Sequence, residues 1–438
     1  MLPFLEREWR RHGDVFAFEL DGPTTVIAHP EGIQRVLLTN AQNYVKGRAY
    51  DGVRRVIGNG VLALEGGAWK SRRTLLQPVF HRSSLARLCE VMTDRGRAYF
   101  DALPAGREGS FEIDAHREMV GLTLDVVMAA LFGQEEAPDV SYEAMGAALE
   151  LVSERANGIL LPAWVPTPSN RKFNRTMHEV EGAIYRVIAA GRRGPPGQGT
   201  LLGMLLDSRD EETGAPLSDR EVRDEVFTMF VAGHETTALT LTWMFTLLAG
   251  RPEILARMQA EVDAVLGDQD PSFEDIPKLT YLRQVIDETL RLRGPVGMVA
   301  RNVVADDEVM GFRIPAGSTV LPFFYGAHRH PSFWDAPERF DPDRFTPERS
   351  RGRNIWSYLP FSQGKRRCIG DQFSLVETVV LVAQLLRRFD VEVDPSAATV
   401  PAAMVVTVRP EGAVRVRLRR RAANRPFSAE APTAAAGQ

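Results

Sequence analysis

A lone cysteine, Cys368, stands in Phe361-Ser-Gln-Gly364-Lys-Arg366-Arg-Cys368-Ile-Gly370, just ahead of an apolar run from Phe373 to Leu386. The run predicts a helix, so Cys368 lies where unpaired amide N–H groups and the positive end of the helix dipole favour a thiolate. A thiolate held there is a metal ligand whose electron donation those donors temper. Phe361 would shield the sulfur from water, while Gly364 permits a tight loop and Gly370 lets the backbone crowd close. A second constellation lies upstream, in Ala232-Gly233-His234-Glu235-Thr236-Thr237. A hydroxyl backed by a carboxylate can pass protons through ordered water. Taken singly, each feature has a plainer reading: an inert buried thiol, a helix threonine bonded back to the preceding turn, a solvent-facing glutamate.

The cysteine loop resembles the haem-binding loop of the cytochrome P450 family, matching F-x-x-G-x-R-x-C-x-G at all its specified positions, and Ala232 to Thr236 matches the family's oxygen-activating A/G-G-x-D/E-T pattern. The resemblance covers roughly residues 10 to 420 and implies a mainly α fold with a small β region, haem b buried between a long central helix and the helix after the cysteine. It implies Cys368 as the iron ligand, Thr236 and Glu235 as the proton relay, and Ala232 and Gly233 as an oxygen groove, Gly233 leaving room for dioxygen and a local opening of the helix. Haem propionates need cations. Trp69-Lys-Ser-Arg-Arg73 matches W-x-x-x-R, so Trp69 and Arg73 are expected there with Arg301 and the loop's own Arg366. Glu288-Thr-Leu-Arg291 matches E-x-x-R, with Arg339 of Pro337-Glu-Arg-Phe340 expected as the third, structural member. The same spacing recurs at Glu8 and Arg11 and at Glu348 and Arg351. Position alone selects Glu288. The family's substrate-contacting segments fall on Val61, Leu62, Phe230, Val231, Val296, Met298, Val299, Met404 and Val405, nearly all apolar, which suits a terpenoid, fatty acid or polyketide-like substrate.

These residues need elements to hold them. Ser218-Asp-Arg-Glu221 is a capping box and Gly250 a stop, so one helix is predicted from about Asp219 to Ala249. At roughly 1.5 Å per residue it spans on the order of 45 Å and crosses the whole body. Periodicity places Glu225, Met229, Ala232, Thr236 and Trp243 near one stripe. Asp21-Gly22-Pro23 joins Val15–Leu20 to Thr24–Ala28 as a hairpin. A second hairpin is predicted from Val405–Val408 and Ala413–Arg419 about Pro410-Glu-Gly412, the later strand alternating Val414, Val416 and Leu418 with arginines. Arg192 to Thr200 reads as a surface loop.

The chain has 438 residues, is 44% hydrophobic and carries a net charge of −4. No global charge steers it to nucleic acid, and the basic run Arg417–Arg421 reads as a solvated strand end. Two cysteines, Cys89 and Cys368, allow neither a disulfide framework nor a zinc cluster and fit a reducing, cytoplasmic setting. No signal-peptide core or membrane span is expected, and Thr236 to Gly250 reads as core helix. One domain over residues 1–421 is expected, with a disordered tail at 422–438. No electron-carrying module is fused, so a ferredoxin or flavodoxin with its reductase is the expected partner, docking on Lys70, Arg72, Lys365 and Arg367. These readings converge on a bacterial-type monooxygenase that uses dioxygen. A peroxide-driven hydroxylase or isomerase and a non-catalytic haem-thiolate redox or gas sensor are the alternatives.

Overall fold

The computed structural model describes residues 1–47, 50–104, 109–133, 165–193, 200–209, 214–404 and 406–421. Val405, the tail 422–438 and the middle of the loop 192–200 lie outside the described residues.

The long helix runs Asp219–Leu248. The Ser218 hydroxyl accepts from the Glu221 N–H (3.3 Å) while the Glu221 carboxylate accepts from the Ser218 N–H (3.0 Å), which satisfies two orphan donors. Residues 222–246 are buried except at Val231, Ala232, Gly233 and Thr236. Packed on one side is Ala115–Phe132, and on another the helix Asp371–Arg388 that follows the cysteine loop. A Cβ on Gly233 would sit 3.1 Å from Val127 Cγ2, so the glycine serves the close approach of these two helices. It is also partly accessible. The expected local opening of the helix is absent, the helical ladder running uninterrupted through 232–236. Side-chain hydroxyls load the carbonyls instead: Thr236 donates to Ala232 O (2.9 Å), Thr237 to Gly233 O (3.3 Å) and Thr123 to His234 O (3.0 Å).

Strands gather at the flanks. β1 (Val15–Glu19) and β2 (Pro23–Ile27) form the expected hairpin, with Asp21 and Gly22 at φ 50° and 118°. They join β3 (Tyr44–Val45), β5 (Arg301–Val303) and β8 (Thr319–Pro322) in a sheet of order β1-β2-β8-β5-β3. β6 (Asp307–Val309) and β7 (Phe312–Ile314) pair by themselves. β4 (Ser110–Asp114) and β9 (Phe389–Val393) flank β12 (Arg415–Arg420).

The second predicted hairpin is therefore corrected. β11 (Val408–Pro410) pairs with β10 (Ala402–Met404), and β12 leaves it for β4 and β9. The alternation in β12 is as read, Val416 and Leu418 being fully buried. Its outward arginines meet acids from the flanking strands, Arg415 with Glu112 (2.7 Å) and Arg419 with Asp390 (2.8 Å). Cross-strand charge and burial select those distant neighbours, which a local turn signal cannot reveal.

Candidate active site: an open cysteine beside the long helix

Cys368 lies in a loop closed by its own N–H donating to Phe361 O (2.9 Å), with Ser362 and Gly364 at φ 58° and 76°. A Cβ on Gly364 would stand 2.2 Å from Leu37 O, so the loop is clamped against the Arg35–Thr39 turn. Gly370 meets no such crowding, its nearest outside atom being a Phe80 ring carbon at 3.8 Å. Phe361 is half-buried, yet Cys368 itself is open. Thr237 Oγ1 and Ser374 Oγ lie 3.0 Å apart and pin the Cys-loop helix to the long helix beside its accessible stretch.

In the absence of a metal, burial opposes the acidity that the sequence reading expects of this thiol. Burial first, then Asp371, pushes the Cys368 thiol up to about 11. The Gly370 N–H, Arg73 and Arg367 pull the other way and are outweighed. A carboxylate in the first helical turn has taken the favourable end of the dipole. A metal cation ionises such a coordinating thiol outright.

A cation cluster lies nearby. Arg366 donates to Leu64 O (2.8 Å) and to Glu65 (2.5 Å), and its guanidinium lies 3.9 Å from the centroid of the Trp69 ring, with Arg73 at 5.8 Å from it. Arg301 is buried, and among the described residues its hydrogen-bond acceptor is its neighbour's carbonyl, Ala300 O, at 2.7 Å. Lys46, which sequence reasoning missed, is 5% exposed and donates to Leu62 O. Burial first, then repulsion by Arg366 and Arg301, lowers its ammonium to about 7. Among the described residues Glu65 pairs with Arg366 and Asp371 draws on Arg73, so the cations outnumber the acids beside them, and the cluster fits a ligand bearing carboxylates. An open soft ligand, a gap in a buried helix and this cluster together fit haem.

Glu235 and Thr236 are not brought together. The Glu235 carboxylate turns to the β10–β11 hairpin, accepting from Thr407 Oγ1 (2.9 Å) and pairing with Arg409. His234 is buried, Nδ1 at 2.7 Å from Phe230 O, and is no ligand candidate. The predicted stripe opens only around Ala232 and Thr236. Trp243 is fully buried and donates to Val408 O (2.8 Å). Glu225, also fully buried, accepts from Val61 N–H (3.0 Å) and from Arg72 (3.1 Å). Among the substrate residues, Leu62, Val231, Val296, Met298 and Val299 are accessible, while Val61, Phe230 and Met404 are buried.

Two further expectations are corrected. Arg291 grips Glu288 with two hydrogen bonds (2.6 and 2.8 Å), both side chains fully buried. Arg339, however, gives only its carbonyl (3.2 Å), its guanidinium being 65% exposed and paired with Asp341. Arg344 supplies the second guanidinium, 3.3 Å from Glu288, because the 3-10 turn Pro342–Phe345 carries it inward. Likewise Arg72 is only 10% exposed and bridges Glu221 and Glu225. It leaves the surface patch to Lys70, Lys365 and Arg367. His328 is another residue the sequence left unassigned: its Nε2 accepts from Leu359 N–H (2.7 Å), so Nδ1 donates to Arg291 O (3.1 Å) and braces the approach to the cysteine loop.

The chain matches the Cytochrome P450 family profile over residues 5–414. It belongs to that family. It is 36% identical over 389 residues to cyclooctatin synthase of Streptomyces melanosporofaciens, covering 86% of this chain and 83% of that protein. Pentalenene oxygenase of Streptomyces avermitilis is 33% identical over 414 residues, with 93% and 90% covered. The crystal structure of the cytochrome P450DA heme domain superposes with a TM-score of 0.85 at 26% identity, covering 96% of this chain and 93% of that one. Retinoic acid-bound cyanobacterial CYP120A1 gives 0.85 at 25% identity, with 95% and 94% covered. The chain is thus a cytochrome P450 monooxygenase with the P450 fold and a haem b cofactor. As a P450 monooxygenase it draws on dioxygen, redox partners and a hydrophobic substrate. No helix of the described residues is long and apolar enough to cross a membrane.

Proposed function

We propose that this P450 oxygenates a compact terpenoid, with Cys368 as the thiolate ligand of the haem iron. The observation that carries the reading is the pairing of an open Cys368 with the accessible Ala232–Thr236 stretch of an otherwise buried helix, the two joined by Thr237 and Ser374. Haem held through a thiolate supplies oxygen activation and favours O–O cleavage. Around it Arg73, Arg301, Arg366 and Lys46 would bind the propionates, with Trp69 as the plane on which two guanidiniums rest. Thr236 would pass protons to oxygen through ordered water. Glu235 joins that relay when it lets go of Arg409. The accessible apolar residues Leu62, Val231, Val296, Met298 and Val299 would hold the substrate by burial and shape, and the likeness to proteins named for pentalenene oxygenation and cyclooctatin synthesis supports a terpenoid. Electrons would arrive from a ferredoxin or flavodoxin at Lys70, Lys365 and Arg367. The described residues act as one domain, and Streptomyces relatives support a bacterial cytoplasmic setting.

The test is spectroscopic, then chemical. The reduced carbonyl adduct of the wild type should absorb at the far-shifted position of thiolate coordination, and Cys368→His should move it back. An unshifted wild-type adduct would remove the reading. Thr236→Ala is expected to keep haem while raising hydrogen peroxide release per electron pair severalfold, and an unchanged peroxide yield would exclude Thr236 from the relay.

A further inference from the structure

Between the turn 332–335 and the segment 344–354 lies a polar groove of about 360 Å³ that shares no lining residue with the haem site. Arg344, Arg349, Arg351 and Arg353 line it against a single carboxylate, Asp335. Two of the four are answered by acids behind them, Arg344 by Glu288 (3.3 Å) and Arg349 by Asp341 (3.1 Å). The other two are not. Arg351 is exposed and has no hydrogen bond or ion pair among the described residues, and Asp335 forms no ion pair there either. Arg353 is half-buried and held in place: its guanidinium lies 4.5 Å from the centroid of the Trp334 ring and 4.8 Å from that of Phe345, and Nη2 donates to the carbonyls of Arg344 and Arg349. Its Nε and Nη1 keep free donors. Gly352, at φ 76°, turns the chain between the two arginines. Asn354 beside them commits Oδ1 to the Trp356 N–H (2.9 Å), which leaves its NH2 as a donor.

A freely moving surface arginine is merely solvated charge. A guanidinium fixed over two rings without an acid partner is different, because a ligand gains its hydrogen bonds without having to order the side chain. Two arginines and an amide around one turn offer more donors than the two oxygens of a carboxylate take up. A phosphate group brings three acceptor oxygens and roughly two negative charges near neutral pH. We propose that this groove binds a phosphate group, with Arg353 as its fixed donor and Arg351 and Asn354 joining from either side of it. Phosphate free in solution and phosphate at a lipid headgroup share that chemistry. Occupancy would tie the segment that carries Arg344, the buried partner of Glu288, to the turn that carries Trp334, so binding stabilises the fold.

In the experiment the haem-loaded protein is titrated with inorganic phosphate, followed by calorimetry and thermal melting, against sodium chloride at matched pH and ionic strength. A second arm measures co-flotation with phosphatidylcholine vesicles with and without phosphatidic acid. Phosphate should give a saturable heat and a matching rise in melting temperature that chloride does not. Arg351→Gln should weaken binding about tenfold, the worth of one charge-assisted hydrogen bond. That variant should melt as wild type in phosphate-free buffer, since Arg351 has no partner to lose. Arg353→Gln should weaken binding at least as much, and if it does not fold, Arg351→Gln decides alone. Vesicle capture that needs both phosphatidic acid and Arg351, without a response to free phosphate, would support the phosphate site and name a lipid surface as its source. No response in either arm, or a response equal in wild type and Arg351→Gln, would overturn the proposal.

Discussion

Arg344 and Arg339 lie five positions apart and carry the same side chain, yet only one is buried against Glu288. Removing Arg344 leaves half of a buried ion pair network uncompensated, and Arg344→Leu should lower unfolding free energy by about 3 kcal/mol or more. Arg339→Leu, which deletes an exposed guanidinium, should cost below about 1 kcal/mol. Denaturant titration of the two variants checks this, and equal losses would mean the burial difference is energetically empty. The same contrast explains what could be read at this scale without coordinates. E-x-x-R fixes Glu288 and Arg291 because both lie on one helical face three residues apart. The third arginine depends on how a loop turns, and only burial identifies it. Lys46 was invisible for a related reason: a lysine without a motif gains meaning only when Arg366 and Arg301, hundreds of residues away in sequence, desolvate and repel it.

At the level of elements, the segment from Gly58 to Leu64 is docked on the first half of the long helix. Asn59 N–H donates to Asp224 (2.7 Å) and Val61 N–H to Glu225, and any side chain at Gly58 would meet the Asp224 carboxyl within 2.1 Å. Burial raises Glu225 to about 7, although Val61 and Arg72 draw it down. The folded value lies above the unfolded one, so the folded chain binds the extra proton between about pH 4.5 and 7. Its contribution to stability is full below that window and lost as pH rises through 7. The difference in melting temperature between wild type and Glu225→Gln should therefore shift against wild type from pH 5 to pH 8, and a pH-independent difference would contradict it. Arg72 belongs to this latch. Reversing Lys365 and Arg367 should slow electron delivery and flatten its salt dependence, whereas reversing Arg72 should chiefly destabilise the fold, as read by thermal melting beside stopped-flow reduction.

Across the whole molecule, what the sequence made legible was whatever local spacing encodes. The capping box and the stop at Gly250 mark the long helix to within a residue, and Asp21-Gly22-Pro23 marks the first hairpin. Partners across long loops were not legible, since nothing near Pro410-Glu-Gly412 tells β12 that Glu112 and Asp390 await it. Nor could spacing say that burial and Asp371 would raise the Cys368 thiol.

The clamp between Gly364 and the Leu37 carbonyl, together with the reach of Arg366 to Leu64 and Glu65, joins the first seventy residues to a loop some three hundred positions later. During synthesis those early residues emerge long before their counterparts. Lys46 and Trp69 therefore wait, half a seat, while the ribosome makes most of the remaining chain, and contacts of such long sequence separation are the slow ones to form. With Cys368 as the proposed ligand, capture of the prosthetic group would follow translation of the cysteine loop, and a polypeptide released early by a premature stop before residue 364 is expected to remain colourless however well its helices had formed.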